Sequence, residues 1–149
     1  MKQLNLLVLM LISFAGIAIA SAPNFAQADD PCVKITMGKY TIDVSRAESS
    51  VQIPKGKLIE SFKSGLKAVN TPKCADQQYE IVDMQLMIAN EGNVSYQYNR
   101  TIITTMQSMD DNTLTRYFLK AQKLTFSNIK LRNSAGDVVE IPSVSFVIE

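Results

Sequence analysis

The 149-residue chain has no histidine, no tryptophan and only two cysteines. Without imidazole, neither a Ser–His nor a Cys–His nucleophile system can be assembled, and the commonest metal ligand is missing. Without tryptophan, the Cys…Trp…Cys pattern of antibody domains is excluded. Charge of one sign is also lacking: Lys and Arg number 15 against 14 Asp and Glu, and no basic run occurs. Nucleic acid and anionic lipid both require a basic face to neutralise phosphate, so neither is an expected partner. No internal repeat, low-complexity tract or linker divides residues 29–149, which points to a single domain with its own core.

Residues 1–28 have the composition of an export signal. Lys2 supplies a positive start, Leu4 to Ile19 form an uncharged apolar stretch, and Ala26-Gln27-Ala28 is an A-x-A cleavage site. Ala18-Ile19-Ala20 is an alternative, earlier cut. The apolar stretch is shorter than the roughly 20 residues that span a bilayer, so stable membrane insertion after cleavage is not expected. No cysteine directly follows the cut, so a lipoprotein anchor is not indicated. The expected location is the periplasm, with the outer surface or secretion as alternatives. In that oxidising compartment Cys32 and Cys74 most simply form one disulfide, closing a loop of about 42 residues and adding roughly 3–4 kcal/mol. Their spacing is far from C-x-x-C, which disfavours a redox pair.

The rest of the chain reads mainly as β-structure. Val33, Ile35 and Met37 are odd-numbered and Tyr40, Ile42 and Val44 even-numbered, so a turn or bulge is expected at Gly38. Val51 and Ile53 add an extended piece. After Pro54, the spacing of Leu58, Ile59, Phe62, Leu66 and Val69 predicts an amphipathic helix, with Gly65 able to end it early. A central strand is expected over 79–89, with Val82, Met84, Leu86 and Ile88 on one face. Asn90 to Asn93 would turn it, and Val94, Tyr96 and Tyr98 return on alternate positions. Asp110, Asp111 and Asn112 offer caps for a second helix over 113–120. The stretch from Leu124 to Glu149 predicts a closing hairpin around Asn133-Ser134-Ala135-Gly136-Asp137, with Val138, Val144, Phe146 and Ile148 on one side. The expected fold is an Ig-like antiparallel β-sandwich of about seven strands with one or two short helices.

Three segments carry a family resemblance. Ser50-Val51-Gln52-Ile53-Pro54-Lys55-Gly56, Tyr79-Glu80-Ile81-Val82-Asp83-Met84 and Phe126-Ser127-Asn128-Ile129-Lys130 through Ile148 are similar to segments of the GldM/PorM C-terminal domain. GldM/PorM is the periplasmic shaft of the Bacteroidetes gliding-motility and type IX secretion machine. The resemblance covers essentially all of residues 29–149 and implies an Ig-like β-domain that contacts other envelope proteins. The full-length proteins carry an N-terminal transmembrane helix and further domains. Here a cleavable signal precedes one β-domain, so the energy-transducing role of that helix does not transfer.

Other motifs weigh less. Ser64-x-x-Lys67 and Ser127-x-x-Lys130 both match S-x-x-K, but S-D-N and K-T-G are missing. Asp29-Asp30 and Asp110-Asp111 are simpler as solvated acids and a helix cap than as glycosidase carboxylates or, with Asn112, a calcium site. Met84/Met87 and Met106/Met109 are simpler as core residues than as copper ligands. The sequons at Asn93 and Asn99 are coincidental on the bacterial source that the resemblance implies. Tyr96, Tyr98 and Arg100 share one parity and form the candidate partner contact, weighed against ordinary cross-strand packing.

The leading expectation is a non-catalytic, exported protein-interaction module with no cofactor or metal, bound to a cell-envelope protein. The alternatives are a small ligand-binding protein or enzyme with a pocket between sandwich and helices, and a self-associating surface protein, in which case homo-oligomers would form.

Overall fold

The computed structural model describes residues 32–44, 49–92 and 95–149. The export signal, Asp29-Asp30 and the Asn93-Val94 pair lie outside them. Val33–Met37 (β1) and Tyr40–Asp43 (β2) form a hairpin in which Met37 pairs with Tyr40. Its two-residue turn needs a left-handed residue, and Gly38 supplies φ +61°. This turn rests on Ser61, which explains why that hydroxyl-bearing residue is buried. The parity switch read from the sequence is therefore a tight turn.

Ser49–Ile53 (β3) leads into the helix Lys55–Lys63 (α1), which buries Leu58 and Phe62. The helix stops there. Gly65, at φ +78°, takes the left-handed position past the helix end, and its N–H donates to the Phe62 carbonyl. Leu66 and Val69, expected on the helix, instead belong to Leu66–Asn70 (β4), antiparallel to β1 with Met37 opposite Leu66. The open edge of β1 offers these residues a ladder that local helical spacing does not anticipate.

After a 3-10 turn at Pro72–Cys74 come Tyr79–Asn90 (β5) and Ser95–Asn99 (β6). Arg100–Gln107 (α2) and Asp111–Phe118 (α3) follow, then Ala121–Asn133 (β7), Val138–Ile141 (β8) and Val144–Ile148 (β9). One sheet has the order β2-β1-β4; the other runs β3-β9-β7-β5-β6, with β8 beside β7. Both sheets and all three helices contribute to a single hydrophobic cluster. The fold is a mainly β sandwich, as expected. The described residues hold nine strands and three α-helices, more than the seven and one or two expected. The β3–β9 pair is parallel. The chain reaches β3 by crossing from the other sheet, so no hairpin constrains its direction.

Two of the three register shifts in the β5–β7 ladder decide which side chains face inward along its first half. Ile81 pairs with Leu131 and Asp83 with Lys130, so Val82 is an extra residue on β5. It is half-buried and does not share the face of Met84, Leu86 and Ile88. On β7 the extra residue is Asn128, at φ +50°, a conformation asparagine tolerates better than most residues. Past it the buried set switches from Leu124 and Phe126 to Ile129 and Leu131. The opposite strand follows suit: Ile129 faces Ile141 and Phe126 faces Val144, with Pro142-Ser143 between. Val138 is consequently exposed, whereas Val144 and Phe146 are fully buried, so the four residues expected on one side do not share it.

The Asn133–Asp137 turn forms as expected. The Asn133 side-chain oxygen accepts from the Ala135 and Asp137 N–H groups at 3.0 and 2.9 Å, and Gly136 takes φ +94°. The α2 helix was not expected. Asn99 caps it by accepting from the Ile102 N–H at 3.1 Å, and Ile103 and Met106 point into the core. Its run of threonine and isoleucine reads locally as strand, while burial of one helical face decides otherwise.

Candidate functional site

The sulfurs of Cys32 and Cys74 lie at disulfide distance, with Cα atoms 5.3 Å apart. The link is local to the small sheet. Cys32 precedes β1, Cys74 follows β4, and the Thr71 N–H already donates to the Cys32 carbonyl at 2.9 Å. A bond here clamps the β1–β4 ladder where its strands would otherwise fray.

The residues considered for catalysis or metal binding are engaged elsewhere. Ser64 Oγ donates to the Ser61 carbonyl at 2.6 Å, a bond that finishes α1. Asp110 accepts from the Thr113 N–H and hydroxyl at 3.0 and 2.6 Å, and these bonds hold its carboxyl below the usual carboxylate range. Asp111 pairs with Lys63 at 2.7 Å. Met84 and Met106 are buried, Met109 packs against the core, and Met87 faces the other side of the sheet. Among the described residues, no cluster of His, Cys, Asp or Glu is arranged to hold a metal ion.

The most distinctive surface lies at the edge of the six-stranded sheet. The outer edge of β6 pairs with no strand among the described residues. Tyr96 stands opposite Ile88 and Tyr98 opposite Leu86, so both tyrosines share the inner face of the sheet with two core residues. At this edge the core runs out, and α3 faces the strand across a groove of about 390 Å³. Tyr117 and Leu119 form the opposite wall, with Arg116 and Lys120 beside them. Tyr96 is 50 % exposed, Tyr117 44 % and Leu119 57 %, a cluster of apolar surface left in water. Tyr98 lies deeper. Burial raises its hydroxyl pKa, and the neighbouring Tyr117 and Tyr96 add to the effect, so its O–H remains a donor at neutral pH.

Of the three residues expected to make the partner contact, the groove brings Tyr96 and Tyr98 together and leaves Arg100 out. Arg100 opens α2, and its guanidinium donates to the carbonyl of Val82, the extra residue of β5. The positive charge at the groove comes from Arg116 and Lys120 instead. Their position in the last turn of α3 and just beyond it is a local signal, since cations favour a helix C-terminus. Their approach to β6 is set by tertiary packing. Asn90, also in the groove lining, has a buried side-chain oxygen without a hydrogen-bond partner.

No helix among the described residues is long and apolar enough to cross a membrane. No family model and no curated protein matches the chain.

Proposed function

We propose that this chain is a non-catalytic, exported protein-interaction module that docks a cell-envelope protein through the β6–α3 groove. The observation that carries the proposal is the exposed cluster of Tyr96, Tyr117 and Leu119 beside a strand edge that no strand among the described residues covers. Tyrosine supplies large contact area at little entropic cost, and arginine beside it is the other residue type enriched at interfaces. The export-signal composition of residues 1–28 and the cysteine pair support a periplasmic location. Association with the gliding or type IX secretion apparatus rests on the resemblance to the GldM/PorM C-terminal domain and is an analogy of fold. Affinity capture of the tagged protein from periplasm should enrich an envelope protein that Tyr96→Ala/Tyr117→Ala no longer retains. Failure to enrich any such protein would count heavily against this role.

A second role is favoured by β8, where Val138 is 56 % and Val139 46 % exposed. Self-association through that edge would appear as concentration-dependent sedimentation, abolished by Val139→Lys.

A further inference from the structure

The nature of the segment that the groove accepts follows from what its walls lack. None of its lining residues is an aspartate or glutamate, and Arg116 and Lys120 pair with no carboxylate among the described residues. Four cations elsewhere have carboxylate partners: Lys63 with Asp111 at 2.7 Å, Lys57 with Glu60 at 3.1 Å, Lys130 with Asp83 at 3.6 Å and Arg132 with Glu80 at 3.8 Å. Lys34, Lys67 and Lys123 lack one among the described residues, as Arg116 and Lys120 do; what sets the groove apart is the aromatic wall beside its two cations. Two unmatched cations over an aromatic wall attract an anion that also carries apolar surface. The α3 terminus accounts for cations at these positions but leaves their side-chain donors without an acceptor.

One further feature defines the shape of that anion. The outer edge of β6, which no strand among the described residues covers, offers backbone donors and acceptors to an extended chain, and strand addition to a sheet edge is a recurring mode of peptide recognition.

Building on the docking role proposed above, we infer that the groove binds an extended, acidic segment of the partner protein, which pairs with the free edge of β6. Its Asp or Glu side chains meet Arg116 and Lys120, and an apolar or aromatic side chain between them lies on Tyr96, Tyr98 and Tyr117. A guanidinium can hold a carboxylate through two parallel hydrogen bonds, and the protonated hydroxyl of Tyr98 adds a donor deeper in the groove.

The test is selection of short random peptides displayed on phage against the oxidised, purified exported protein, followed by fluorescence polarisation of the selected peptides. Enrichment of Asp or Glu alternating with aromatic or aliphatic residues is expected. Affinity should fall at least about tenfold in Arg116→Glu/Lys120→Glu, a change of about 1.4 kcal/mol, and weaken as salt is raised. Both side chains lie at the groove surface, and circular dichroism verifies that the variant remains folded. A neutral or basic consensus, or no selected peptide, overturns the inference. Peptides that survive the charge reversal but are lost in Tyr96→Ala/Tyr117→Ala overturn the acidic specificity and leave the groove as a docking face. Peptides indifferent to both variants remove the groove from the docking role as well.

Discussion

The two flanks of the six-stranded sheet are finished in opposite ways. On the β3 flank the backbone is tied in: the Glu149 N–H donates to the Ile53 carbonyl at 3.1 Å, and the Lys55 N–H donates to the Glu149 carbonyl at 2.7 Å. Lys55 Nζ also reaches the Leu119 carbonyl at 2.8 Å, joining α1 to the segment after α3. Inside this flank, Phe146 packs edge-on against Phe126 with centroids 6.0 Å apart. On the β6 flank the ladder ends among the described residues, and large side chains face water. A sheet edge is an aggregation hazard that folds normally blunt, so an edge left both open and aromatic is more economically explained by use than by neglect. The contrast separates residues that hold the fold from residues that face a partner.

The largest expected effect comes from breaking the closed flank. Phe146→Ala removes a fully buried ring from the β7–β9 pair and should destabilise the protein by about 3–5 kcal/mol in urea titration. A loss below about 1 kcal/mol would show that this flank is not the structural one. Next is Cys32→Ser, expected to lose roughly 2–4 kcal/mol while retaining partner binding. Intact-mass measurement before and after reduction should show the purified protein gaining the hydrogens of two thiols. If binding disappears in a Cys32→Ser variant that is fully folded, the bridge has a redox role and the structural assignment fails.

On the open flank the balance should invert. Tyr96→Ala is a surface truncation and should change stability by no more than about 0.5 kcal/mol, yet weaken partner capture at least about tenfold. Equal losses of stability and binding would make Tyr96 a packing residue and erase the contrast between the flanks. The smallest effect concerns Asp110, whose carboxyl is held below its ordinary range by hydrogen bonds from Thr113. A depressed folded pKa contributes stability that is present above the unfolded value of about 4 and is lost as pH falls through the folded one. Acid titration of Asp110→Asn against the parent should therefore show the two curves converging below about pH 4. Curves that stay parallel down to strong acid would mean that the charge of Asp110 contributes nothing to α3.

Several elements were legible in the sequence because their causes are local. The Gly38 turn, the Asn133–Asp137 turn and the Asp110 cap each depend on one residue whose backbone preference or side-chain oxygen acts within a few positions. The α2 helix was not legible, because its threonines and isoleucines favour strand and only burial of Ile103 and Met106 outweighs that preference. The face assignment of Val82 failed for a related reason. A bulge is a property of two strands paired in register, and the alternation within one strand cannot show it. At the candidate site, alternation placed Tyr96 and Tyr98 on one face, but carrying the same parity on to Arg100 crossed a helix start that redirects its side chain to the Val82 carbonyl.

The sequence by itself determined the mainly β class, the turns, the spacing of the cysteines, and the absence of histidine chemistry. These follow from residue type and short-range geometry. Only the tertiary structure decided that β3 joins β9 in parallel, and that no strand among the described residues covers the outer edge of β6. It alone brought Arg116, Tyr117 and Leu119 across from Tyr96 and Tyr98. The physical reason is that strand partners and groove walls come from segments far apart in the chain. Their meeting is fixed by the apolar surface that both sheets and three helices bury together, a quantity that no short window of residues contains.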